Sequence, residues 1–127
     1  MFKVTSDPGR NRLYITLAGH LDGTERQSVM KELLAQAAKL APGFGVVTDI
    51  SELHPTDHEG LKDLLRVKSG LRMKGVGPIV RVVKIPLSRI QMARVSEEAG
   101  YDAEHLDTLE AADHRLDELQ AEAQMAG

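Results

Sequence analysis

Hydrophobic and polar positions change period several times along this chain. Residues 2–6 (FKVTS) alternate weakly and stop at Asp7-Pro8-Gly9. Residues 12–18 (RLYITLA) alternate well, with Leu13, Ile15 and Leu17 on one face and Tyr14 and Thr16 on the other. Two such runs around DPGRN predict a β-hairpin. Beyond Gly19 the period lengthens. Val29, Leu33, Ala37 and Leu40 recur at helical spacing, joined by Met30 and Leu34. Asp22 with Glu25, or Thr24 with Gln27, offers a capping box at the start, and Pro42-Gly43 a stop.

FGVVTDI (44–50) is an apolar run of strand length and predicts a buried central strand. A helix is expected from about Asp57 to Lys74, with Leu61, Leu64, Leu65 and Leu71 inward and Gly75 in the left-handed cap position. PIVRVVK (78–84) predicts the next strand, and Leu87, Ile90, Val95 and Ala99 a helix over 86–99 stopped by Gly100. AEHLD (103–107) predicts a short last strand. Leu109, Ala112, Leu116, Leu119 and Ala123 form the stripe of a final helix, capped by Asp107 with Glu110. After the opening hairpin, strands and helices alternate. Alternation implies right-handed crossovers and a mostly parallel sheet. The expected fold is therefore α/β: a mixed sheet of about five strands with four helices, opening with an antiparallel hairpin, in one domain over residues 1–127.

Composition narrows the chemistry. A chain of 127 residues is long enough to bury a core without disulfides or metal. It has no cysteine, which excludes a thiolate zinc site and a cysteine nucleophile. No apolar run could span a bilayer and the start lacks a signal-peptide core, so a cytoplasmic location is expected. With no Trp, two Tyr and two Phe there is little with which to stack bases. Nor is there a helix-turn-helix pattern or basic run, so no nucleic-acid partner is expected. Charge is uneven. From Lys62 to Arg94 nine basic residues stand against one acid, and from Glu97 to Glu122 ten acids stand against Arg115. Such polarity either orients a partner or self-association, a homodimer being the simplest form, or is neutralised between neighbouring segments.

Chemistry-bearing residues concentrate in DISELHPTDHEGL (49–61). His54 and His58 are four apart, but Pro55 biases His54 out of helical geometry, so a metal site is not expected. Ser51, Asp57 and His58 supply the residue types of a triad without a nucleophile elbow or an oxyanion loop, so no enzyme is expected. Thr56-Asp57-His58-Glu59 reads as a helix N-terminal capping box, which needs no function at all.

Two motifs carry a resemblance. Gly19-His20-Leu21-Asp22 ends the second strand and Asp49-Ile50-Ser51 the third; Asp57 then follows after five residues, with Gly60-Leu61 behind it. This set resembles the STAS domain of bacterial anti-sigma factor antagonists, whose pattern is G-x-L-D, then D-L-S, then D-S-S-G-L at the same spacing. The element order is similar over essentially the whole chain. The resemblance implies a non-enzymatic regulatory domain that binds a protein partner, a kinase or an anti-sigma-like regulator, without a cofactor. In that family the first serine of D-S-S is phosphorylated, and a dianion at a helix start blocks docking. Here His58 holds the phosphoacceptor position and Glu59 the next, so the serine switch is absent there. Thr56 and Ser51 remain as hydroxyls open to phosphorylation, though a cap and a turn are their commoner roles. An imidazole at a helix N-terminus is expected to titrate below its usual value.

The expected partner-binding loop face gathers Asp22, Ser51, Thr56, Asp57, His58 and Glu59, since open α/β sheets bind at the carboxyl ends of their strands. His20 is expected as a solvated turn residue. Arg81, inside an apolar strand, is expected to reach a carboxylate such as Asp49 or to snorkel to the edge. Met73, Met92 and Met125 leave open a small apolar ligand or lipid on the same scaffold as the alternative function.

Overall fold

The computed structural model describes residues 1–54, 58–83 and 104–126, with the side chains of 58–61, 63–65 and 126 left aside. The elements run β1 (Phe2–Asp7), β2 (Arg12–Gly19), α1 (Gly23–Ala37), β3 (Gly45–Leu53), α2 (His58–Met73), β4 (Ile79–Val82), β5 (Glu104–Leu106) and α3 (Leu109–Ala126). The strands form one sheet in the order β1-β2-β3-β4-β5, with β1 and β2 antiparallel and the others parallel. The α/β expectation therefore holds, hairpin and five strands included. Three helices are described; the helix expected over 86–99 lies outside the described residues.

The path of the chain decides which face each helix covers. Two successive right-handed crossovers that step the same way across a sheet put their helices on one side. Accordingly α1 packs on α2, β1 and β2. The last helix follows the edge strand β5 and folds back over the opposite face, onto β3, β4 and β5. Two apolar clusters result. Leu13, Ile15, Leu17, Val46, Ile50, Ile79 and Val83 join α1 and α2 through Val29, Leu33 and Leu71. Val47, Val80 and Val82 meet Ala112 and Leu116 of α3. The period of two in each strand produces this sorting directly.

Burial on both faces brings polar side chains inside. Arg81 alternates with Val80 and Val82, so it points to the α1–α2 face, opposite Thr48 in register. It is wholly buried, and so is Lys68 of α2 but for 2% of its surface. This corrects the expectation for Arg81: it does not snorkel, and Asp49, one residue on from Thr48, lies on the other face. Lys68 falls three residues before the buried Leu71, on the same side of α2.

Helix ends differ from expectation in detail. α1 stops at Ala37, well before Pro42, with Ala38 as its cap. The end of α2 closes as expected. Gly75 adopts φ 83°, its N–H donates to the Arg72 carbonyl (3.0 Å), and Val76 N–H reaches the Leu71 carbonyl (3.2 Å). These are the two bonds of a Schellman motif. The cap of α3 is Thr108 rather than Asp107: Thr108 Oγ1 accepts from Ala111 N–H (3.1 Å). Leu109, expected inward, is 50% exposed.

A buried guanidinium joins α3 to the hairpin. Arg12 opens β2 on the α3 face and is 2% exposed. It donates to Asp113 Oδ1 (2.7 Å), to Asp117 Oδ1 and to Gln120 Oε1 (2.8 Å). Those acceptors sit at i, i+4 and i+7, one stripe of the helix. Tyr14 adds a fourth tie, its hydroxyl donating to Asp113 Oδ1 (2.8 Å). Burial opposes the charge on Arg12, but the Asp117 hydrogen bond and the fields of Asp117 and Asp113 outweigh it and keep it protonated.

These placements also answer the charge question for the described residues. The basic residues of α2 and the acids of α3 lie on opposite faces of the sheet. α3 pairs its carboxylates with Arg10, Arg12 and its own Arg115 instead.

Candidate functional site

The two motif loops leave the same end of the sheet, because β2 and β3 are parallel neighbours. Gly19 pairs with Leu53, and His54 N–H donates to the Gly19 carbonyl (3.0 Å), which clamps one loop to the other.

Each residue of Gly19-His20-Leu21-Asp22 has a separate physical task. Gly19 adopts φ 70° with open space around its missing Cβ, so glycine is needed for the conformation, not for room. His20 is exposed, in line with a solvated turn residue. Leu21 is buried in the α1–α2 cluster and anchors the turn. Asp22 is the N-cap of α1, its Oδ1 accepting from Glu25 N–H (2.8 Å). Replacing Asp22 with alanine is expected to cost about 1 kcal/mol in urea unfolding. Faster amide exchange in the first turn of α1 should accompany the loss.

Ser51 is not in a loop. β3 runs on to Leu53, three residues past the expected end, and carries a bulge. Thr16 pairs with Asp49 and Ala18 with Glu52, so β3 holds one extra residue there. Ser51 sits at that irregularity. Asp49 Oδ1 accepts both Ser51 N–H (3.0 Å) and Ser51 Oγ–H (2.7 Å). The D-x-S motif thus satisfies the donors that a bulge sets free. A phosphate on Ser51 would face the Asp49 carboxylate that now accepts its hydroxyl proton.

α2 begins at His58, so His58 and Glu59 occupy its first turn as expected. Thr56 and Asp57 lie outside the described residues, and with them the capping box. The structure thus places Asp22 and Ser51 at neighbouring strand ends, each engaged in local hydrogen bonds, with the His58 backbone at the next helix start. Among the described residues, no group of three or more His, Cys, Asp or Glu is placed to hold a metal ion. No described helix is long and apolar enough to cross a membrane.

Three features escaped the motif reading. The Lys68–Arg81 pair was legible as a lysine on a leucine stripe and an arginine in an apolar strand. The Arg12 anchor was legible only as two aspartates four apart on the last helix. The third is a groove of mixed polar and apolar lining on the α3 face of the sheet, for which strand registers were required.

No protein-family model and no curated protein matches the chain. Solved structures do. The anti-sigma factor antagonist SpoIIAA in its unphosphorylated form matches with a TM-score of 0.65 at 16% identity, over 94% of this chain and 98% of that one. The Bacillus cell fate determinant SpoIIAA in its phosphorylated form matches with a TM-score of 0.61 at 19% identity, over 91% of this chain and 99% of its own. At such identity the likeness is one of fold: the chain has the STAS-like fold that its two motifs imply.

Proposed function

We propose that this chain is a non-enzymatic, cytoplasmic regulatory domain spanning residues 1–127, which docks a protein partner where β2 and β3 end. The partner class is a kinase or an anti-sigma-like regulator. What carries this reading is the extent of the likeness to an anti-sigma factor antagonist, 94% of this chain and 98% of the other. The clamped loops support it, since they hold Asp22 and Ser51 on a rigid frame next to the helix start that bears His58 and Glu59. The docking face comprises Asp22, Ser51, Thr56, Asp57, His58 and Glu59. With histidine at the phosphoacceptor position, docking is not gated by a serine phosphate at 58, and Thr56 and Ser51 are the hydroxyls that remain for phosphorylation on that face.

The test is cross-linking of the purified protein in extract of its own source, followed by mapping. The expected result is a reproducible protein partner linked at residues 19–22, 51–54 and 56–59. Glu59→Lys should weaken retention by about tenfold, as charge reversal in an interface core does. A stoichiometric co-purifying metabolite with no protein partner, or cross-links confined to α3, would sink the proposal.

A further inference from the structure

α3 packs on β3, β4 and β5 and is tied to the start of β2 at Arg12 and Tyr14. Among the described residues, nothing covers the same face of the sheet at Lys3 and Thr5 of β1, which are exposed. A groove of about 170 Å³ lies there, lined by Lys3, Thr5, Tyr14, Thr16, Asp49 and Leu109 among others.

Strand register orders these groups. Lys3 pairs with Thr16, and Thr16 with Asp49, so a cation, a hydroxyl and a carboxylate stand in one row across three strands. In the next row Thr5 pairs with Tyr14, and Tyr14 with Val47. Neighbouring strands lie ~4.8 Å apart, which sets the Lys3 and Asp49 backbones ~10 Å from each other. Among the described residues these two charges make no ion pair. The Tyr14 hydroxyl is committed to Asp113, and one Asp49 oxygen to Ser51. The Lys3 ammonium, the Thr5 and Thr16 hydroxyls and the second Asp49 oxygen are committed to no described residue.

A cation and an anion held apart, with hydroxyls between them, complement a molecule that carries both charges in the opposite order. We propose that this groove binds a free α-amino acid, its carboxylate toward Lys3, its ammonium toward Asp49, and Thr5 and Thr16 donating or accepting between them. The size agrees: at ~30 Å³ per water the groove equals roughly five or six waters, about the bulk of a small amino acid. Leu109, half exposed, walls the groove and suits a short side chain. The site goes beyond the docking reading and does not depend on it.

The test is a ¹H–¹⁵N NMR titration of the full chain with glycine, serine and glutamine, each beside its N-acetyl and its carboxamide form. At least one free amino acid is expected to give saturable shifts at the amides of Thr5, Thr16 and Asp49. Both blocked forms should bind about tenfold more weakly, as should Lys3→Gln, whose surface position spares the fold. A second variant, Thr16→Val, should weaken binding in the same direction. The proposal is overturned if no free amino acid moves these amides up to about 10 mM. It is equally overturned if a blocked form binds as well as the free one, if Lys3→Gln leaves affinity unchanged, or if the shifts fall elsewhere.

Discussion

Replacing Lys68 with methionine is expected to make this protein more stable at neutral pH, by about 1–4 kcal/mol. Lys68 is 2% exposed on the inward stripe of α2. Burial, and then the charge of Arg81, hold its ammonium well below the usual 10.5. Methionine keeps the length of the side chain and removes both the desolvation cost and the repulsion. The pH dependence follows from the sign of the shift. Between the depressed folded value and 10.5 the unfolded chain binds a proton that the folded chain does not. Stability contributed by this site therefore rises with pH across that window, by up to about 1.4 kcal/mol per unit, and levels off above it. Lys68→Met should abolish that slope. Urea unfolding of both proteins between neutral pH and about pH 10.5 measures it. A variant that is less stable, with the slope unchanged, would mean that the lysine is charged in the fold and held by an anion.

Arg12→Ala is expected to act the other way, costing about 2–3 kcal/mol. The guanidinium is buried and its loss leaves Asp117 Oδ1 and Gln120 Oε1 without the donor they have now, while Asp113 keeps Tyr14 and Arg10; breaking a pair by removing its buried partner is the costly case. The partners are partly exposed, Asp113 by 34% and Asp117 by 61% of the side chain, so water recovers some of the loss. Arg12→Lys should restore little, because a single ammonium cannot reach acceptors spread over i, i+4 and i+7. The loss should be local as well as global: amide exchange in α3 should quicken more than in α1. Acid should uncover the same contact. The Arg12 hydrogen bond, against some desolvation, holds the Asp117 carboxyl below 3.8. Its stabilisation is therefore present above that value and lost as pH falls through the lower folded one. The Arg12→Ala protein should lack this component of acid destabilisation, which pH-dependent urea unfolding detects.

Side-chain periodicity along the chain determined a great deal by itself. Alternation in 12–18 and the helical stripe through Val29, Leu33 and Ala37 are local properties, set by where successive Cβ atoms point, and they appear in β2 and α1 as read. The Asp22 cap, the Gly75 cap and the alternation that makes a sheet parallel are equally local or nearly so. Even the two short motifs were enough to imply the STAS-like fold; Gly19 turns the backbone, Asp22 caps α1 and Asp49 holds Ser51 at the bulge.

Tertiary structure alone decided what happens between elements. Whether α3 covers the face opposite α1 and α2 depends on the handedness of crossovers and on where the chain leaves the edge strand. That choice made Arg12, the first residue of a strand, the buried anchor of a helix a hundred positions away. On the other face, the packing of α2 against the sheet sealed Lys68 and Arg81 inside, although Arg81 read in sequence as a side chain that snorkels or reaches a carboxylate. Strand register, which no single segment encodes, put the bulge under Ser51 and set Lys3, Thr16 and Asp49 in one row. The physical reason is common to all of these. Local patterns say which way a side chain points, but the environment it meets is made by the partner strand or helix on the other side.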